Sequence, residues 1–161
     1  PTRRSSDLWV GLAGERKVVA YIGTQAFTRQ LVEKSGYFVV QIPVVSQMAT
    51  VLYAGGRSYA DAPDKNDTIP FFYQPEFDLP LVAGCAGWLV CKVMPYPDIQ
   101  QQHNLFMGDI VAAWSDDRVF RNGHWIFDDA PDELRTVHYV AGGQFYAIGK
   151  GSKFDHGPGQ D

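Results

Sequence analysis

The sequence predicts a mainly β protein with short helices, an antiparallel barrel with the helices inserted between strands. Three observations predict it. Aromatic residues make up 14% of the chain, and with valine they favour strands. Sixteen glycines and ten prolines supply many turns. Strand patterns do not alternate regularly with helix patterns, which speaks against a doubly wound parallel sheet. At 161 residues the chain is long enough for one domain with a real core.

The elements follow in order. Residues 9–12 read as a strand end that turns at Ala13-Gly14-Glu15-Arg16. Val18-Val19-Ala20-Tyr21-Ile22 is an apolar, β-prone run that stops at Gly23-Thr24-Gln25. A short helix follows, with Phe27 and Leu31 four apart on one face and Gly36 placed to end it. Residues 37–42 read as a buried strand that Pro43 closes. Residues 46–53 form a second helix whose apolar face carries Met48, Val51 and Leu52, ended by Ala54-Gly55-Gly56. Residues 56–79 are a long irregular stretch, whose Phe71, Phe72, Tyr73 and Phe77 argue against disorder. Residues 88–94 and 104–114 are strands, and Gly108 marks a bulge or a close backbone approach. Asn122-Gly123 signals a hairpin. Residues 136–150 form the last β element, interrupted by Gly142-Gly143. Residues 151–161 read as a flexible tail. There is no internal repeat.

Charge and motifs exclude several functions. A net charge of −4 argues against a nucleic-acid partner, which needs clustered Lys and Arg. No apolar run reaches the roughly 18 to 20 residues of a membrane helix, so no membrane partner is expected. Cys85 and Cys91 sit six apart in one predicted strand, on one face but about 20 Å from each other. They cannot pair there, and reduced, packed thiols fit a cytoplasmic setting. The four histidines have no ligand spacing and the cysteines no zinc pattern, so no metal site is expected. Nucleophile-elbow, Walker and Gly-x-Gly-x-x-Gly motifs are absent. The first eight residues, PTRRSSDL, resemble translated adapter sequence and are set aside as a non-native or disordered leader. Without them 12 basic and 17 acidic residues remain, a net −5.

One corner carries candidate chemistry. Thr24, Gln25 and Thr28 cluster where a strand feeds a helix N-terminus, and there orphan N–H groups and the helix dipole can hold a phosphate. The competing reading is that Thr24 or Thr28 caps the helix.

Five stretches then carry a resemblance. They are FTRQLVEKSGYFVVQIP at 27–43, the loop at 55–65 ending in Asp64-Lys65, and the run from Pro80-Leu81 to Cys91-Lys92-Val93 with His-Asn-Leu-Phe-Met-Gly-Asp-Ile at 103–110. The last is the closing run YVAGGQFYAIGK at 139–150, with Gly142-Gly143 and Tyr146. In this order they resemble the flavin reductase-like family, which includes flavoredoxins. The likeness spans residues 18–150. Gln41 stands where the family usually has Asn, and Val90 where Glu is common. The family's Asn-x-x-Thr-x-x-Trp segment would lie before Trp9, so the resemblance also implies an N-terminally truncated domain over residues 9–150.

The resemblance implies an FMN-binding split β-barrel, a Greek-key antiparallel barrel. It implies an oxidoreductase that takes hydride from NAD(P)H onto FMN (FAD is the other candidate) and passes it to an acceptor. The cofactor contacts would be Gly23, Thr24, Gln25, Thr28 and Lys65. His103 and Tyr146 would touch the nicotinamide substrate or the reduced flavin. For Lys65 the alternative is a solvated loop, for His103 a turn, and for Gly142, Gly143 and Tyr146 a plain turn and a core aromatic. No side chain is assigned a catalytic role, because the cofactor carries the chemistry. A homodimer is implied. The alternatives are a flavin-binding electron carrier without NAD(P)H turnover and a truncated fragment that binds no flavin.

Overall fold

The computed structural model describes residues 10–12, 16–57, 59 and 62–153. In chain order the elements are β1 (Val10–Leu12), β2 (Lys17–Tyr21), α1 (Phe27–Ser35), β3 (Tyr37–Ile42), α2 (Met48–Gly56), β4 (Phe71–Gln74) and β5 (Phe77–Val82). Then come β6 (Gly87–Val93), α3 (Pro97–His103), β7 (Leu105–Ser115), β8 (Phe120–Arg121), β9 (His124–Trp125), β10 (Val137–Ala141) and β11 (Gln144–Ala147). The protein is mainly β with short helices, as expected. The expected leader at 1–8 and most of the expected tail, residues 154–161, lie outside the described residues.

A curled five-stranded antiparallel sheet organises the fold, in the order β1-β2-β7-β6-β3. Strands β2 and β3 neighbour each other in sequence, yet two strands separate them. Helix α1 makes that crossing. Its nine residues span roughly 13 Å, close to the roughly 14 Å of three interstrand spacings. Gly36 ends it in the left-handed region at φ 73°, donating its N–H to Val32 O.

The helix presents a different face from the one expected. Phe27 and Leu31 are exposed, while Arg29 and Val32 are buried. Val32 joins Val18, Ala20, Ile22, Phe38, Cys91 and Phe106 in the main core. Spacing places Phe27 and Leu31 together on a stripe, but only packing decides which stripe faces the sheet.

Four further expectations change. Three α-helices are present among the described residues, not two, because α3 opens on Pro97 with little apolar periodicity. Helix α2 runs through Gly55 and Gly56 instead of ending before them, and none of its side chains is fully buried. The stretch at 56–79 is not irregular throughout, since β4 and β5 form a hairpin from Phe71 to Val82. Its aromatics tie it to the sheet: Phe72 meets Trp88 and Phe77 meets Trp114, both edge-on. Gln41 Oε1 accepts the Val82 N–H at 2.6 Å and joins β3 to β5. Finally, Cys85 lies in the turn before β6, not in the strand with Cys91, and both thiols are free and buried.

Two glycine readings hold. Asn122 and Gly123 take φ 51° and 78° in the tight β8–β9 turn. At Gly108 the approach is close: an added Cβ would stand 2.8 Å from two Phe38 ring carbons and 2.9 Å from Cys91 Cβ. The bulge of β7 falls nearby at Val111, between the pairs Cys91↔Ile110 and Val90↔Ala112.

Gly108→Ala is expected to cost about 2–3 kcal/mol through overpacking, read as a lower urea midpoint. Burial pushes the Cys91 thiol up to about 11 from 9.0. A thiol so raised stabilises fully below its unfolded value and loses that contribution as pH climbs through its folded one. The urea midpoint should therefore fall between about pH 9 and 11, with a shallower fall in Cys91→Ala.

Candidate functional site

The corner between β2 and α1 is built by a tight turn. Ala26 donates its N–H to Gly23 O at 3.0 Å, and Arg29 N–H donates to Ala26 O at 3.0 Å. Ala26 is the N-cap residue, so no side chain caps the helix. Thr24 and Thr28 therefore keep their hydroxyls, and both are exposed together with Gln25, while Gly23 is buried. No acidic residue occupies the first turn. The first amides of a helix have no partner within it, and the dipole there favours negative charge.

Strand register brings His103 to this corner. Tyr21 pairs with Leu105, and Ile22 N–H donates to Asn104 O at 2.9 Å. Beyond that bond the chain runs on to Gly23 on one side and, past the left-handed Asn104, to His103 at the end of α3 on the other. His103 is exposed at the end of α3. Lys65 arrives from another direction. Phe27, the first residue of α1, stacks on Tyr59 with centroids 4.6 Å apart, which sets the loop after α2 beside the corner. The Lys65 ammonium donates to Ala54 O at 3.2 Å and Arg57 O at 2.9 Å. It thus caps the C-terminal carbonyls of α2 with two of its three donors.

Tyr146 is not brought to the corner. It pairs with His138 near the root of the β10–β11 hairpin. That root is fastened beyond β3 by the Val44↔Thr136 bridge and the Val45 N–H to Arg135 O bond. Ile42 and Gly87 pair at that end, level with Ser115, so the hairpin root sits at the opposite end of β7 from His103. Tyr146, Val137, His138 and Ile148 line a shallow hollow there. Among the described residues no cluster of His, Cys, Asp and Glu could hold a metal ion. No described helix is long and apolar enough to cross a membrane.

The sequence reading missed Arg29. Its side chain lies inside α1's buried face, and its guanidinium gathers acceptors from three elements. Nη1 donates to Asn104 Oδ1 at 2.5 Å and, at 3.4 Å, to Ile22 O. Nη2 donates to Gln100 O at 3.1 Å, and Nε to Glu33 Oε1 at 2.8 Å. The group lies over the Phe106 ring, 5.3 Å from its centroid. Asn104 itself is left-handed at φ 56°, as the cap of α3. Only the i,i+4 spacing to Glu33 was visible in the sequence; Gln100 and Asn104 are 71 and 75 residues away.

The exposed part of the corner offers hydroxyls, an amide and helix amides, with no carboxylate in the first turn. That donor set fits a phosphate ester.

The curled antiparallel sheet with its short inserted helices is a split-barrel architecture. Residues 16–138 match the flavin reductase like domain, and the chain belongs to that family. It is similar to an FMN-binding domain of a flavin reductases-like enzyme from Shewanella baltica OS155, with 42% identity and a TM-score of 0.84. That match covers 86% of this chain and 74% of the other. The flavoredoxin of Desulfovibrio vulgaris (Miyazaki F) shares the fold at 20% identity and a TM-score of 0.73, covering 94% and 81%. The uncharacterized protein YddH of Escherichia coli K12 is 35% identical over 136 residues, 83% of this chain and 71% of that protein.

Arg29→Ala is expected to cost about 2–4 kcal/mol in urea unfolding, since it strands buried acceptors. Glu33→Gln, at a half-exposed partner, should cost under about 0.5 kcal/mol.

Proposed function

We propose that the protein binds FMN noncovalently at the β2–α1 corner and works as an NAD(P)H-dependent flavin oxidoreductase. The observation that supports this most is the exposed, carboxylate-free helix start, left uncapped by Thr24 and Thr28. The Thr24 and Thr28 hydroxyls, the Gln25 amide and the first α1 amides hold the phosphate. Gly23, without a side chain, lets the backbone approach it closely. Lys65 orders the neighbouring loop through Ala54 O and Arg57 O and adds positive charge to that side. His103, next in sequence to the Asn104 that bonds Ile22, offers a contact for the nicotinamide. Bound flavin supplies the hydride chemistry, and the chain supplies position and electrostatics. Exposed Tyr139, Val140 and Tyr146 on the last hairpin suit a second copy of the chain, consistent with a homodimer.

Purified protein titrated with FMN is expected to quench flavin fluorescence to saturation. The double variant Thr24→Ala/Thr28→Val should weaken binding roughly 10- to 100-fold, the worth of one or two bonds to a charged group. Anaerobic mixing of the flavin-loaded protein with NADPH or NADH should bleach the yellow absorbance. Flavin that binds but stays oxidised assigns the protein to electron carriage. Protein that takes up no FMN sinks both readings.

A further inference from the structure

We infer that Arg29 and Asn104 form a positioning latch that sets the spacing between the phosphate corner and His103, and through it the affinity for flavin. This rests on the FMN reading above. Three observations carry it. The two candidate walls belong to different turns: residues 23–28 follow β2, and His103 precedes β7. Asn104 touches both with one residue. Its backbone O takes the Ile22 N–H at 2.9 Å, and its Oδ1 takes Arg29 Nη1. Arg29 reaches back to Ile22 O, the last residue before the corner, and across to Gln100 O inside α3. Outside this network, His103 and Thr24 are both exposed side chains.

The chemistry explains why the link is stiff. A guanidinium keeps its charge and presents its donors in a fixed planar fork. Buried as Arg29 is, it holds its acceptors at set angles. Phe106 closes one face of the group. Asn104 suits its place twice: its short amide tolerates the left-handed backbone, and its oxygen completes the fork. A ligand whose phosphate sits on one turn and whose ring lies toward the other binds best when their spacing is already fixed.

Two substitutions separate positioning from folding. Asn104→Gly keeps the left-handed backbone and the Ile22 bond but removes the side-chain acceptor. Asn104→Asp keeps both backbone and acceptor. Each is followed by urea unfolding, by FMN titration, and by dipolar EPR between nitroxides on Gln25→Cys and His103→Cys. Cys85 and Cys91 are buried with raised thiol pKa values, so labelling reports the introduced sites. For Asn104→Gly the expected result is a folded protein with a broadened distance distribution. In the otherwise unlabelled chain its FMN dissociation constant should rise at least tenfold. Asn104→Asp should stay within threefold of the original protein, with a narrow distribution. Arg29→Lys, which keeps charge but loses the fork, should follow Asn104→Gly. A folded Asn104→Gly with unchanged distances and unchanged FMN affinity overturns the latch. So does an affinity loss shared equally by Asn104→Asp. If the original protein takes up no FMN, the flavin reading falls, and the distances alone then uphold or overturn the latch.

Discussion

A guanidinium cannot give up its charge, so burying Arg29 obliges the chain to surround it with acceptors. The chain meets that demand from the end of β2, from α1 itself and from the end of α3. The consequence reaches beyond one side chain. Helix α1 crosses the end of the sheet, and Val32 anchors its buried face in the apolar core. Arg29 fixes how far along that crossing the helix sits. It does so by tying the helix to Asn104, the residue that admits the chain into β7.

The central strand β7 holds this end of the sheet together. It pairs with β2 on one side and β6 on the other. Gly108 lets Phe38 lie against the sheet where a side chain would collide. The Lys17–Asp109 ion pair at 2.7 Å follows the same register, although both groups are partly exposed and the pair contributes little. On the other side, Gln41 of β3 and the Trp88 indole of β6, whose Nε1 donates to Val82 O, hold the β4–β5 hairpin against β3 and β6. The sheet thus forms a hydrogen-bonded floor beside the exposed polar corner.

The division of labour in the candidate site follows from this. Exposed Thr24, Gln25 and Thr28 can meet a ligand because the fold does not spend them on capping. Lys65 is drawn into the loop's own order, where it satisfies carbonyls at the end of α2. Such carbonyls have no partner further along their helix, and an ammonium suits the negative end of its dipole. Tyr146 stands with the other hairpin aromatics, away from the corner. In a single chain the expected contacts therefore separate into a corner group and a hairpin group.

By itself the sequence determined the local elements. The β2 run, the Gly36 stop, the Asn122-Gly123 turn and the tight place at Gly108 were legible, because glycine and β-branched residues act on the few residues around them. The strand-to-helix corner was legible for the same reason. The tertiary structure decided what depends on distant partners. Residues with weak periodicity, such as α3 and the β4–β5 hairpin, took their form from packing. Helix α1 turned Arg29 inward and Phe27 outward because acceptors some 70 residues away stood ready for a buried guanidinium. His103 reached the corner, and Tyr146 did not, through strand register, which no local pattern encodes.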